Sequence, residues 1–379
     1  MSVSHRVALV ASSFAPNIGG VETHVARVAT GLRDRGHAVE VWTVDRGEGI
    51  GVRDLDGTIV RVLPAPLPAK SFGGIWRFLV AVPRAWRLWV SAYRSFRPSV
   101  LHIHCFGPNG GYALALHRRF RTPLIVTSHG ETFMDDSRLF DTSTVMRTAL
   151  RAALARAVAV TGPSRAVLAD LKARFGLRGG VVVPNGVDLD IHPRPRPLAE
   201  ECFFAVGRLG KTKGFDLLLV AFAEARLPDE VRLVIGGDGP ERAALEALTR
   251  QLGIAQRVSF VGWLDEQSIA DAMAGSLAVV VPSRIEAFGI VALEAWRAGA
   301  PLLMTRHGGA TEFMQDGVNA LLIDPMDAQA SADAIRRVFA DLALRERLAE
   351  AGRERVREFS WSSVIDRYES VLSSRPTPR

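Results

Sequence analysis

Only two cysteines occur in the 379 residues, Cys105 and Cys202, far apart and outside any C-x-x-C spacing. That excludes a disulfide framework, and so little cysteine suits a reducing, cytoplasmic compartment with both thiols in apolar surroundings. No apolar run approaches the roughly 18 residues that a membrane-crossing helix needs. The start, Met1 to Arg6, leads into a short apolar stretch and not into a secretory leader, so the expectation is a protein made and kept inside the cell. G-x-G-x-x-G is missing from the first strand-to-helix turn of either half, which weakens a dinucleotide-dependent dehydrogenase. The formal charge of +7 and a pI near 10 suit an anionic ligand or membrane face. No recognised nucleic-acid module accompanies that charge, so no nucleic-acid partner is expected.

What is present is a repeated alternation of short apolar runs and helical periodicity, the pattern of parallel sheets covered on both faces. Arg6 to Ala11, Val39 to Val44, Thr58 to Leu63, Ser99 to Cys105, Pro123 to Thr127, Val158 to Thr161 and Gly180 to Pro184 read as strands of a first sheet. Ile191-His-Pro-Arg-Pro-Arg-Pro197 forbids helix and reads as an extended linker. A second alternation runs from Cys202 through Met304 to Phe359, and a last helix starts at Ser360, with a frayed tail beyond it. The boundaries are 1–193, 198–358 and 359–379.

The stretch Val280 to Met304 carries the sharpest chemistry. An apolar run stops at Pro282-Ser283, and helical spacing begins at Ile290 and ends at Gly299. The amides of Phe288, Gly289, Ile290 and Val291 are that helix's unpaired donors, and Gly289 lets an anion approach them. Glu286, in the loop beside Ala287, and Glu294, one turn into the helix, bracket this cradle and can accept hydrogen bonds from vicinal hydroxyls. An anion site between two hydroxyl acceptors describes a nucleotide sugar. Gly207-Arg-Leu-Gly-Lys-Thr-Lys-Gly214 follows the second half's first strand, where Arg208 and Lys213 can neutralise a diphosphate. Gly19-Gly20 opens the first helix, and His129 ends a strand where a doubly wound sheet opens its crevice. Glu22 and His24, just inside that helix, could line the same cleft, with solvated helix positions as the default reading. His102 and His104 share one strand face but lack a third ligand nearby in sequence, so polar sheet-edge residues are expected and not a metal pair. Asp54-Leu-Asp56 and Asp188-Leu-Asp190 are read as solvated loop carboxylates, and no essential metal is expected.

Glu286-x7-Glu294 with Phe288-Gly289 between resembles the signature of retaining glycosyltransferase family 4, of the GT-B fold. Gly19-Gly20, Ser128-His129-Gly130, Pro184-Asn-Gly-Val-Asp188, the Gly207-Arg-Leu…Lys213-Gly run and Gly308-Gly309 fall in the family's order, covering nearly the whole chain. The resemblance implies two Rossmann-like domains facing across a cleft, with a C-terminal helix crossing back to the first. It implies a nucleoside-diphosphate sugar held mainly by the second domain, Gly262 and Trp263 lying where family members hold the base. It assigns His129 to the transferred sugar, Arg208 and Lys213 to the departing diphosphate, Glu286 to orienting the sugar and Glu294 to the ribose. The acceptor is a glycan or lipid-linked glycan and no cofactor is needed. A non-catalytic sugar-nucleotide-binding protein and a GT-B epimerase or phosphorylase remain open alternatives. One stretch, Ile75 to Arg97, interleaves Trp76, Trp86 and Trp89 with Arg77, Arg84, Arg87, Arg94 and Arg97. It reads as a helix packed on the sheet with a solvated basic face, or as one that also meets anionic lipid as a peripheral membrane contact.

Overall fold

Apolar runs of four to six residues separated by helical segments can bury both faces of a strand in one way, by closing a parallel sheet between helical layers. The computed structural model describes residues 4–15, 19–67, 72–134, 138–194 and 201–373. The first three residues, the Pro16-Asn17-Ile18 part of the glycine loop, residue 68 of the proline break, the Pro195-Arg196-Pro197 part of the linker and the tail beyond residue 373 lie outside them. The chain divides into two compact units, residues 1–184 with 361–379, and residues 185–360.

The first unit runs β1 (Arg6–Ala11), α1 (Gly20–Asp34), β2 (Ala38–Val44), β3 (Gly51–Leu55), β4 (Thr58–Leu63), α2 (Phe72–Phe96), β5 (Val100–His104), α3 (Pro108–Phe120), β6 (Leu124–Thr127), α4 (Leu139–Thr142), α5 (Thr144–Leu154), β7 (Ala159–Gly162), α6 (Arg165–Phe175) and β8 (Val181–Val182). Its sheet order is β3-β4-β2-β1-β5-β6-β7-β8, parallel except for β3. That exception corrects the reading of Asp54-Leu-Asp56 as loop. Gly51 to Leu55 pairs antiparallel with β4, and Asp56-Gly57 makes the two-residue turn with both residues at positive φ. The Asp54 side chain accepts the Gly57 amide at 2.8 Å, so this carboxylate serves the hairpin.

The second unit runs β9 (Cys202–Val206), α7 (Phe215–Ala225), β10 (Arg232–Gly236), α8 (Arg242–Gln251), β11 (Val258–Gly262), α9 (Glu266–Gly275), β12 (Ala278–Val281), α10 (Ile290–Ala298), β13 (Leu302–Thr305), β14 (Leu321–Ile323), α11 (Ala328–Ala340) and α12 (Leu342–Val356). Its order β11-β10-β9-β12-β13-β14 is that of a dinucleotide-type doubly wound sheet, all parallel. The last helix, α13 (Trp361–Ser373), belongs to the first unit and packs on α1. Gly31 makes that packing possible, because a Cβ there would lie 2.6 Å from Ile365.

α2 divides its length between two environments. Trp89, Ala92 and Phe96 are buried in the first unit's core, and the Trp89 indole donates to Pro64 O at 2.9 Å. Toward its start Ile75, Trp76, Leu79 and Val80 are exposed. The expectation that Trp76, Trp86 and Trp89 could act together at a bilayer is thereby corrected, since Trp89 is enclosed and Trp86 half-buried. All five arginines of the stretch are exposed.

Candidate active site

In a doubly wound sheet the strands on either side of the first one run off in opposite directions, and the loops that part there leave room for a ligand at their carboxyl ends. In the second unit that point lies between β9 and β12. The loop after β9 carries Arg208 and Lys213, and the loop after β12 carries Ser283, Arg284 and Glu286. Glu286 is 5% exposed and its Oε2 accepts from Lys213 Nζ at 2.8 Å and from Ser283 Oγ at 3.0 Å. A buried carboxylate needs such donors. The exposed Arg208 guanidinium has no hydrogen-bond or ionic partner among the described residues. The two loops are also tied by Arg284, whose guanidinium donates to both Asp216 oxygens at 2.7 and 2.6 Å and to Lys211 O at 2.7 Å.

Glycines draw these loops together at backbone distance. A Cβ on Gly214 would lie 2.0 Å from Pro282 O, and one on Gly237 would lie 2.0 Å from Gly207 O. Gly236-Gly-Asp-Gly-Pro240 is therefore a packing device for the Arg208 loop, with Leu209 N donating to Asp238 O at 2.9 Å. Gly289 has φ +94° and would meet the Met304 side chain if substituted, so its conformation and its neighbour both require glycine before any anion is considered. It precedes α10, whose first amides lack intrahelical acceptors except where Ala292 N turns back to Gly289 O at 3.0 Å. Ala287 and Phe288 are buried, and Phe288 stacks on Phe313. These two hold the cradle from behind and offer a ligand backbone alone. Gly262, at φ +70°, accepts the Gly237 amide through its carbonyl at 2.6 Å, and Trp263 beside it is 64% exposed.

Glu294 lies one turn into α10, half-buried. Burial pushes its carboxyl up from 4.5 to about 7, against Arg297, which favours the charge, and with Glu266, which opposes it. Asp216 moves the other way: burial raises it, but the hydrogen bond and charge of Arg284 prevail and hold it below its usual value.

In the first unit the corresponding point lies between β1 and β5. His129, after β6, sits in a turn organised by Glu131. The Glu131 carboxylate accepts the His129 amide at 2.7 Å, Ser128 Oγ at 2.9 Å and the Phe106 amide at 2.9 Å. Gly19 and Gly20 begin α1, with the Glu22 carboxylate folded back over Gly19. His24 is 1% exposed, which corrects its reading as a solvated position. It lies in ring contact with His104, His129, Trp361 and Tyr368. The expectation that His102 and His104 lack a third ligand is corrected for His104 alone, since His24 and His129 converge on it.

Within the second unit the structure thus joins Lys213 to Glu286 and places Arg208, Gly289 to Val291 and Glu294 on the loops and helix of one sheet edge. Sequence reasoning missed Ser283, Arg284, Asp216 and Glu131. Asp216 had a signal, as an acidic residue in the first turn of a helix straight after the basic loop. The Asp188-Leu-Asp190 pattern is a local turn, Asp190 N donating to Asp188 Oδ1 at 3.1 Å.

Comparison with known proteins accords with this geometry. The family described as Glycosyltransferase Family 4 matches residues 18–191, and Glycosyl transferases group 1 matches residues 189–355. The D-inositol 3-phosphate glycosyltransferase of Xylanimonas cellulosilytica is 30% identical over 94% of this chain and 93% of that protein. The lipopolysaccharide core biosynthesis glycosyltransferase LpsE of Rhizobium meliloti is 40% identical, over 54% of this chain and 57% of that protein. Among solved structures, sucrose-phosphate synthase from Thermosynechococcus elongatus superposes with a TM-score of 0.82 at 24% identity, covering 97% of this chain and 98% of that one. HepE of Anabaena in complex with UDP-glucose gives 0.76 at 21% identity over 97% and 100%.

Proposed function

The chain belongs to glycosyltransferase family 4, and from that premise we propose that it moves a hexosyl group from a nucleoside-diphosphate sugar to a glycan or lipid-linked acceptor with retention at the anomeric carbon and without a metal. The observation that carries the reading is the Lys213–Glu286 pair, buried on the Glu286 side, at the β9–β12 switch point beside the α10 amides. As the glycosidic bond breaks, negative charge grows on the leaving diphosphate. Lys213, Arg208 and the α10 amides stabilise that charge more in the transition state than in the ground state, which is the function a divalent ion would otherwise serve. Glu286 holds the Lys213 ammonium in place and offers its other oxygen to a sugar hydroxyl. Glu294 accepts from the ribose, and His129, on the first unit, contacts the transferred sugar. HepE, bound to UDP-glucose, supports a UDP-sugar as the first donor to try.

For the acceptor, LpsE of lipopolysaccharide core synthesis supports an envelope glycan. The exposed Ile75, Trp76, Leu79 and Val80 beside Arg77, Arg84 and Arg87 support contact with an anionic membrane face, hence a cytoplasmic and peripheral placement. No helix among the described residues is long and apolar enough to cross a membrane. Purified protein incubated in EDTA with a panel of UDP- and GDP-sugars and with glycan and lipid-linked glycan acceptors tests the reading. One donor turned over to free nucleoside diphosphate and an α-linked product supports it. No turnover of any donor, or turnover restored by manganese alone, overturns it.

A further inference from the structure

We propose that His24, His104 and His129 form a binding site in the first unit for a late first-row divalent cation, zinc before others. The three come from α1, the end of β5 and the turn after β6, and one ring nitrogen of each lies within 4.8 Å of the other two. Tetrahedral zinc with nitrogen at roughly 2.0–2.1 Å separates its ligand atoms by about 3.4 Å. The His104 Nδ1 to His129 Nε2 distance is 3.3 Å, so two of the ligands already stand at that spacing, and a small rotation of the third closes the set.

The chemistry of the cluster agrees with the geometry. A metal takes the neutral imidazole. His104 is fully buried, and its Nε2 has no hydrogen-bond partner among the described residues. An ion held through Nδ1 would leave this Nε2 as it is, so it is the convergence of the three ligand nitrogens that supports the site. Outer partners of the kind that orient metal-bound histidines are also in place. His24 Nε2 is 2.9 Å from Tyr368 Oη. His102, tilted against His104, is held by Thr127 Oγ1 at 2.7 Å and lies outside the ligand set. Cys105 adds no ligand atom to the convergent set. Three histidines therefore leave a fourth position for water or a substrate oxygen. Because His129 is also assigned to the sugar, an ion bound here competes with transfer. The site is thus regulatory or inhibitory, and distinct from the metal-free chemistry proposed above.

Binding is measured without reference to activity. Calorimetric titration of metal-free protein with zinc chloride at neutral pH is expected to saturate at one equivalent. X-ray absorption of the wild-type complex is expected to show nitrogen and oxygen neighbours at about 2.0 Å with imidazole scattering and no sulfur. His24→Gln and His104→Gln are each expected to weaken binding about 100-fold or more. No saturable binding, a sulfur neighbour at about 2.3 Å, or unchanged affinity in His24→Gln overturns the proposal. If His104→Gln fails to fold, the wild-type spectrum and the His24→Gln variant decide. Zinc bound at this site without loss of sugar transfer would overturn the role given to His129 and leave the site itself standing.

Discussion

Arg284 grips Asp216 through two parallel bonds of 2.7 and 2.6 Å, and so fastens the loop that carries Glu286 to the helix that follows the loop carrying Lys213. Neither residue need touch a ligand for this to matter. The 2.8 Å contact of Lys213 with Glu286 depends on two loops arising more than seventy residues apart, and Arg284 N to Thr212 O at 2.9 Å and Arg284 Nη1 to Lys211 O at 2.7 Å are further cross-links between them.

Asp216→Asn is therefore expected to act as a positioning defect. It should lower kcat about 10-fold or more while KM for the donor changes little. It should also cost about 2 kcal/mol of stability, the usual worth of charge-assisted hydrogen bonds. Asp216 is held below its ordinary value, so its contribution is full above the unfolded pKa of 3.8 and is lost as pH falls below that value and through the lower folded one. Melting curves of wild type and variant should converge on acidification. A difference that persists unchanged well below pH 3.8 would show that the ion pair is not its source.

Lys213→Ala and Arg208→Ala should separate in their effect on folding. Each is expected to reduce kcat/KM about 100- to 1000-fold, since each removes charge opposite the departing diphosphate. Lys213→Ala also strips the buried Glu286 of its cation, so its Tm should fall. Arg208 has no partner among the described residues, and its removal should leave Tm in place. Wild-type turnover in both variants would sink the assignment.

Glu294 gives a signature in pH. Its carboxyl titrates near 7 in the folded protein against 4.5 for the ordinary group. A raised value means the folded state holds the proton more tightly, so the stability it contributes is full below the unfolded value and is lost as pH rises from 4.5 to about 7. Glu294→Gln should flatten that part of the stability profile. A ribose hydroxyl donating to this group favours its ionised form, so nucleotide binding at neutral pH should release a fraction of a proton that the glutamine variant does not release. Calorimetry of UDP binding in buffers of different ionisation enthalpy measures it. Equal proton release by wild type and variant would remove Glu294 from the ribose.

The two sheets and most of their strands were legible because a parallel strand announces itself as an apolar run whatever its surroundings. Lys213 and Glu286 were legible as charges on loops that follow two strands of one sheet, whereas Gly289 is already required by its φ of +94° and by Met304. What escaped notice was convergence. His24 looked like a surface position from its own helix, and its enclosure comes from Tyr368 and Trp361 of α13, more than three hundred residues on. Asp56-Gly57 was overlooked as a hairpin because β3 is an edge strand with exposed Val52, so its apolar alternation is faint. Glu131 was passed over beside His129, although its carboxylate fixes that histidine's backbone.

The remaining expectation concerns the start of α2. Pro83 lies inside the helix, and before it Ile75, Trp76, Leu79 and Val80 stand exposed while Arg77 and Arg84 flank a groove with Pro64 and Pro66. Exposed aromatic and aliphatic side chains next to arginine suit an interface of acyl chains and anionic headgroups, where each arginine contributes about 1 kcal/mol at low salt. Liposomes containing phosphatidylglycerol should float the protein, and neutral liposomes should not. Binding should weaken as salt shortens the screening length to below about 10 Å. Trp76→Ala and the combined Arg77→Glu, Arg84→Glu, Arg87→Glu variant should lose flotation, and Trp89→Phe should keep it, because Trp89 is sealed in the core with its indole on Pro64 O. If Trp76→Ala floats as wild type does, the exposed segment is not the contact. If no anionic liposome binds at low salt, the reason for preferring a lipid-linked acceptor falls with it, and soluble glycans become the acceptors to assay.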